Sequence, residues 1–490
     1  MKISEWKLYK IENDESEVNN NEIFSEENDD FYETNLNNIF KSEVYKEHIL
    51  CVGQVQSGKT RNIEKAIAKA INDEYKLIIV FSGITRILLE QTNSRINNFK
   101  DNRNVKFIEK LKRANLFDAI ENYKTVIWSL LKSADWLNNA FEEIDLINWQ
   151  NHKVLIINDE CDYASINISN SDGSKIYSLI SDLYNRFYNV KLLSFTGTPF
   201  ANIMSSKSNL LKIDRVVTLL NYDSYCGIKF FNDNSNSNYV TLDIQKEGLD
   251  QQIFYVVFWY WLIQTACALC ENNEFKSELI VNVEIENFNQ ENIILKLYEY
   301  YYEISKELTN KPQGWLYKRI KNTINHLRLE EKNEGKVLEK IKYILKKINE
   351  NKDRSFILLN STNEEKNFKS GFVQFCVIVG GFMISRGFTF ENLTTEFFLN
   401  VPKSDSTKIS VDTLLQRCRW FGNRKKDNRN KFLRIVMNKR ICEALKSAQD
   451  YVEVFVPGTS TSNIGAIYKK IKELDEFNEI VESTNATKRK

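Results

Sequence analysis

From residue 46 the chain alternates short apolar runs with longer stretches whose apolar positions recur at helical spacing. Ile49-Leu50-Cys51-Val52 leads through a glycine-bearing turn to Ile63, Ala66, Ile67, Ala70 and Ile71, which share one helical face. The runs at 76–81, 125–128, 154–157 and 192–195 are short, and the first is β-branched and bounded by polar residues. Strands of that kind are buried on both faces, as in a parallel sheet. The rhythm lapses over 223–275, then resumes with runs at 279–283, 355–359, 375–379, 396–399 and 433–436. Strand-then-helix alternation at these lengths predicts an α/β chain of two doubly wound parallel-sheet lobes. The first lobe is expected over 46–222 and the second over 276–440, with a helical insert at about 290–350. An acidic, Asn-rich lead-in (1–45), a connector (223–275) and a helical tail (441–490) complete the expected plan.

One stretch tests that plan. Between Asp250 and Glu271 there is no charge, and Ile253 to Leu269 is almost wholly apolar or aromatic. Its length is the short limit for a membrane span, and Gln264 and Thr265 interrupt it, so a helix buried within protein is expected, with no membrane partner. Composition narrows the class without pointing to a function. The 490 residues exceed one ordinary core, and 42% hydrophobic with 27% charged residues is the balance of a soluble globular chain. Lys+Arg 67 against Asp+Glu 66 excludes a uniformly basic surface but permits a confined basic groove. Eight cysteines in so long a chain do not form a disulfide framework, and the first residues carry no apolar leader, so the cytoplasm is the expected compartment. Cys267-Ala-Leu-Cys270 has no second pair nearby and reads as packed helix rather than a zinc site.

The turn after the first run changes the picture. It reads Gly53-Gln54-Val55-Gln56-Ser57-Gly58-Lys59-Thr60, between a strand and a helix, the context in which this spacing binds phosphates. Backbone N–H groups of Gly53, Gln56, Ser57 and Gly58 would face the phosphates, Lys59 would add charge, and Thr60 would offer Mg²⁺ a hydroxyl. The run at 154–157 ends on Asp159 and Glu160. Asp159 is placed to hold Mg²⁺ through its water shell, and Glu160 to accept a proton from attacking water. In the second half, 380–389 and 412–424 each follow a strand, and the latter puts Gln416 and Arg419 one helical turn apart. A guanidinium from there would stabilise charge developing on a γ-phosphate; Arg419 and Arg424 both qualify, with Arg419 preferred. Together these point to an ATP hydrolase using ATP and Mg²⁺. A nuclease centre is poorly supported. Val283-Glu-Ile-Glu286 lacks a following lysine, and His48, His152 and His326 are the only histidines.

Taken in order, the motifs resemble a known family. They are Gly53 to Thr60, Val80-Phe-Ser-Gly-Ile-Thr85 with Glu90-Gln-Thr-Asn-Ser-Arg95, and Asn158-Asp-Glu-Cys-Asp-Tyr-Ala-Ser165. Phe195-Thr-Gly-Thr-Pro-Phe-Ala-Asn202, Ser385-Arg-Gly-Phe-Thr389 and Leu415-Gln-Arg-Cys-Arg-Trp-Phe-Gly-Asn-Arg424 follow. The series, over roughly 48–440, resembles the Z-one domain family, superfamily-two helicase-like ATPases of bacterial restriction and antiphage gene clusters. The resemblance implies two RecA-like lobes with ATP in the cleft between them, and Gly387 and Gln416 near the nucleotide. It further implies that Thr196 and Thr198 couple hydrolysis to lobe movement. Gln91, Arg95, Arg386 and Thr389 are implied to serve that coupling or a nucleic-acid strand. Asn158 stands where an acidic residue is frequent, Cys161 where Ala is frequent, and Arg417-Cys-Arg419 where Met-Gly-Arg is common. None of these removes a phosphate, metal or base group. The implied partners are nucleic acid, DNA first and with little sequence preference, and a separate nuclease or defence protein. Two readings stay open: a motor on nucleic acid, or an ATP-gated switch that recruits an effector.

Overall fold

The computed structural model describes residues 30–82, 86–96, 99, 103–109, 115–162, 172–205, 211–242, 252–282, 287–359, 371–381, 384, 390–398, 408–424 and 426–484. The chain divides into two compact units, neither of them contiguous. The first comprises 26–225, 406–416 and 447–490; the second comprises 226–405 and 417–446, with 1–25, which lie outside the described residues.

In the first unit, helix α1 (Asp30–Phe40) precedes β1 (Lys46–Val52), α2 (Lys59–Asn72), β2 (Leu77–Phe81) and α3 (Arg86–Ile96). Then come β3 (Val105–Ile108), α4 (Leu116–Asn122), β4 (Thr125–Leu130), α5 (Ala134–Ile144) and β5 (Lys153–Asn158). Helix α6 (Asp172–Asn185), β6 (Asn189–Thr196) and β7 (Arg215–Thr218) follow. The sheet runs Ser460–Thr461, β7, β1, β6, β5, β2, β4, β3, parallel throughout except for the first pair. Side chains alternate across a strand, and here both faces are apolar. Leu77, Ile79 and Phe81 join Trp128 and Leu192 in one core, while Ile78 and Val80 join Ile49, Ile127 and the α2 residues Ile63, Ala66 and Ile67 in another. Helices therefore cover both faces. Because β1 lies beside β6, and β6 beside β5, the carboxyl ends of three strands adjoin, with Val52 opposite Thr196 and Asn158 opposite Ser194. In open α/β sheets that is where a ligand sits. Further along the same strands, buried Glu47 of β1 pairs with Lys191 of β6 and Arg215 of β7, each at 2.9 Å. Removing one partner from such a set strands a buried charge, so the set favours this strand order.

The second unit holds an all-parallel sheet in the order Phe356–Leu359, Phe375–Gly380, Ser277–Asn282, Leu393–Phe398, Arg434–Met437, Tyr239–Thr241. One face carries Leu279, Val281, Val377, Val379 and Phe397 against helices Gln252–Glu271, Asn287–Asn310, Gln313–His326 and Glu334–Glu350. Helix Gln252–Glu271 is long and apolar enough to cross a membrane, yet 72% of its most apolar window is buried in this core. Trp261 Nε1 donates to Ser277 Oγ at 2.8 Å and Trp259 Nε1 to Thr323 Oγ1 at 3.0 Å, tying it to sheet and insert. Cys267 is buried within it.

Both units hold parallel, helix-covered sheets, as the hydrophobic pattern predicts. The boundaries differ from expectation. Residues 223–275 are not a connector, since Tyr239–Thr241 is a strand of the second sheet and Gln252–Glu271 a core helix. The tail is not a separate helical appendage. Lys439–Val452 and Ile464–Phe477 are helices, but Ser460–Thr461 returns to pair with β7. A two-residue strand is too short to show a period.

Candidate functional site

The phosphate-loop sequence follows β1 directly. Gly53 N–H donates to Thr196 O at 3.0 Å, so the loop starts pinned to the end of β6. Gly58 has φ 82 and Gln56 φ 58, left-handed conformations that let the loop double back before α2. No side chain caps α2 at Gly58, so its first N–H groups face outward from the helix end, as an anion requires. A Cβ on Gly197 would stand 3.0 Å from Lys59 Nζ and 3.1 Å from Val55 Cγ2, so Lys59 lies folded across the glycine of the Thr196–Pro199 turn. Buried Gln56 Nε2 has no hydrogen-bond partner among the described residues, and Ser57 is buried beside it. A cradle of left-handed glycine, folded lysine and an unspent amide fits a phosphate chain.

Aromatic residues brace the loop from a side the sequence did not single out. A Cβ on Gly58 would meet Tyr222 Cε2 at 2.9 Å, and Tyr225 Oη donates to Val55 O at 2.7 Å. Phe31 and Tyr32 of α1 meet the Tyr222 ring edge-on, at centroid distances of 4.9 and 5.8 Å, and the Tyr32 and Tyr222 hydroxyls hydrogen-bond.

Asp159 and Glu160 leave β5 beside the loop. Burial, with the neighbouring Glu160 charge, pushes the Asp159 carboxyl up to about 6 against the pull of Lys59 and Lys132. Glu160 has φ 49, a strained position for a residue with a side chain. The ammonium of buried Lys132 donates to the carbonyls of Asp159 and Glu160. Thr60, Asp159 and Glu160 thus adjoin the loop as a hydroxyl and two carboxylates, a donor set that suits Mg²⁺.

Behind them lies a network that the sequence only half disclosed. Asp162, 2% exposed, accepts from Thr196 Oγ1 at 3.0 Å and Thr198 Oγ1 at 3.1 Å. Gln416 Nε2 donates to the Asp162 carboxylate and, at 2.8 Å, to Thr198 Oγ1. Gln416 was expected near the nucleotide, but its amide is engaged by this network, and the segment 406–416 belongs to the first unit. The motif spacing assigns Asp162 no role; its place three residues beyond Asp159, in the same turn, is the available signal.

In the second unit the arginine segment is not helical. The helix Val411–Gln416 stops at Gln416, so Arg419 is not one turn further along the same face. Cys418, Trp420 and Phe421 are buried, and Gly422 has φ 119; these turn the chain instead. Arg424 donates to the carbonyls of Trp420, Glu391 and Arg419 at 3.2, 3.1 and 3.0 Å. Burial lowers its pKa to about 10. Its guanidinium is occupied by main chain, whereas Arg419 lies near buried Glu396. Burial pushes Glu396 up to about 8, opposed by Asn282 and the charges of Arg419 and Arg424. Arg386, Gly387, Thr389 and the Val283–Glu286 carboxylates lie outside the described residues, as do the side chains of Gln91 and Arg95, which fall on α3.

Residues 254–457 match the model of the Z1 domain, and residues 22–201 that of the type III restriction enzyme res subunit. No curated protein matches the chain in sequence. Among solved structures it is similar to S. cerevisiae Dbp5 bound to RNA and ADP BeF3, at 14% identity and TM-score 0.44, over 87% of this chain and 89% of that one. Mss116p bound to ssRNA and AMP-PNP is similar at 11% identity and TM-score 0.47, over 89% and 77%. The ATP-dependent type ISP restriction-modification enzyme LlaBIII bound to DNA is similar at 12% identity and TM-score 0.42, over 91% of this chain but 29% of that one. At such identities the likeness concerns the fold and no particular residue.

Proposed function

The chain is a Z1-containing, superfamily-two helicase-like protein, and on that premise we propose that it hydrolyses ATP to move along or remodel nucleic acid. The observation that carries the reading is the meeting of the Lys59 loop, the Asp159–Glu160 turn and the Thr196–Thr198 turn at three adjacent strand ends. Lys59 and the loop amides would bind the phosphates, and Glu160 would take the proton of the attacking water. Mg²⁺, held by Thr60 and Asp159, would neutralise charge on the phosphates. Of the two arginines, Arg419 is the one we propose for the γ-phosphate, the preference its motif carries; the Arg424 guanidinium donates to three carbonyls. The rings of Phe31 and Tyr222 beside Gly58 suit a stacked base.

Coupling to nucleic acid would run through Thr196, Thr198 and Asp162 to Gln416, the last residue before the chain enters the second unit at Arg417. Contacts to the strand would fall on its backbone, giving low sequence preference and weakening with salt. The proposal extends to a role in restriction or antiphage defence, in the cytoplasm and with cleavage left to a separate chain; the match of residues 22–201 to the res subunit supports its restriction part alone. A second reading, a nucleotide-gated switch that recruits an effector without motor activity, is favoured by Tyr225. Its hydroxyl holds the loop carbonyl of Val55, and it is itself the last residue before Cys226 opens the second unit. ATP turnover with and without single- and double-stranded DNA and RNA separates the two, because only a motor requires stimulation. Lys59→Ala should abolish turnover; if it retains the wild-type rate, the hydrolase reading falls.

A further inference from the structure

Lys132 belongs to none of the motifs, yet it reaches the centre of the site. It lies two residues beyond β4 and is 2% exposed. Strand β2 separates β4 from β5, a gap of two strand spacings or about 10 Å, which the chain beyond β4 and the Lys132 side chain together bridge to the turn after β5. There its ammonium donates to the carbonyl of Asp159 and, at 3.1 Å, to that of Glu160.

The four main-chain polar groups of these two residues are all accounted for. Asp159 N–H donates to Phe81 O at 3.2 Å, and Glu160 N–H to the Asp159 Oδ1 at 2.9 Å. Both carbonyls go to Lys132. The following N–H, of Cys161, is fixed on Phe195 O at 3.0 Å. The turn is thus hung from β2 and β6 by main chain and from β4 by one side chain, the component a substitution can remove. Glu160 at φ 49 is a conformation that persists only where its surroundings impose it. Two charge-assisted bonds to consecutive carbonyls draw both oxygens to one side, which determines how the two carboxylates leave the turn.

We propose that Lys132 is a positioning residue that sets the Asp159–Glu160 turn for Mg²⁺-nucleotide. The inference rests on the ATP hydrolase reading and adds a residue to it. The test measures AMP-PNP binding by calorimetry with and without Mg²⁺, on full-length wild type, Lys132→Met, Lys132→Arg and Lys59→Ala, beside steady-state ATP turnover. Lys132→Met should lose about tenfold or more of the affinity that Mg²⁺ adds, the scale typical of lost supporting contacts around a metal. Its Mg²⁺-free affinity should stay within about twofold of wild type, because the Lys59 loop is untouched. Turnover should fall in kcat, with Lys132→Arg recovering part of both losses. If Mg²⁺ strengthens AMP-PNP binding to Lys132→Met as much as to wild type, the proposal is overturned. Should the methionine variant not fold, Lys132→Gln, which keeps an amide donor, is read by the same criterion. Lys59→Ala at the wild-type rate would topple the hydrolase reading itself; a dead Lys59→Ala beside an unchanged Lys132→Met would topple only this one.

Discussion

His48 sits inside β1, five residues before the phosphate loop, and makes the first unit acid-sensitive. Its Nδ1 faces Lys212 O at 3.2 Å, which can only accept, so Nδ1 carries the proton and Nε2 accepts from Ser194 Oγ at 2.9 Å. Burial drives its pKa down from 6.5 to about 4, against the opposing charge of Asp214. The depressed value fixes the sign. Below pH 6.5 the unfolded chain takes up a proton that the folded chain refuses until about pH 4, so stability falls on acidification through that window. Between pH 7 and pH 5 the linkage relation yields a loss of roughly 2 kcal/mol, at 1.36 kcal/mol per pH unit once the unfolded histidine is charged. For a unit of this size that is about 4–8 °C in melting temperature. His48→Gln, a neutral side chain that can still donate and accept, should lower stability at pH 7 but melt with a pH dependence shallower by about that amount. Thermal melts of both proteins at pH 7 and pH 5, followed by circular dichroism, make the comparison. Burial lowers His152 in the same direction, but both proteins keep it. Parallel shifts in the two proteins would refute the assignment of the acid sensitivity to His48.

Three further substitutions probe the site and the second core. Asp162→Asn and Gln416→Ala should each leave nucleotide binding intact while lowering nucleic-acid-stimulated turnover, and the double variant should be no worse than the poorer single one. Their non-additivity, about 0.5–3 kcal/mol for groups in one network, is read from the four turnover rates. Buried Arg434 donates to the carbonyls of Leu327, Lys431, Leu433 and Arg328 at 2.6 to 3.0 Å. Arg434→Met would strand those acceptors and should destabilise the second unit by about 3 kcal/mol or more, measured as a lowered melting transition.

The sequence disclosed those parts of the site that chemistry forces into local patterns. A phosphate loop needs glycine at Gly58 because φ there is 82, and the apolar runs of β1, β5 and β6 announce themselves because both sheet faces are buried. Short strands at or next to the sheet's edges were invisible for the converse reason. Val105–Ile108 has an exposed Lys106 and Arg215–Thr218 opens on an ionic residue, so neither forms a clean run. Helix Gln252–Glu271 was legible as buried but not as part of the second core, since an apolar surface does not name what covers it. Lys132 left no trace, because its partners are main-chain carbonyls, which every residue possesses. Gln416 was assigned by its neighbours in sequence, and its amide turned out to answer to Asp162, 254 positions away.

The return of Ser460–Thr461 to the first sheet has a practical corollary for anyone dividing this protein. A fragment ending near residue 222 would contain the Lys59 loop, the Asp159–Glu160 pair and the Thr196–Pro199 turn. It would nonetheless be incomplete. The rim of β7 that now bonds to Ser460–Thr461 would be a bare template for a neighbouring molecule. The Asp162 carboxylate would lose the amide of Gln416. Insolubility or idleness of such a fragment would therefore speak of a cut through a domain, and would not count against the chemistry of the intact chain.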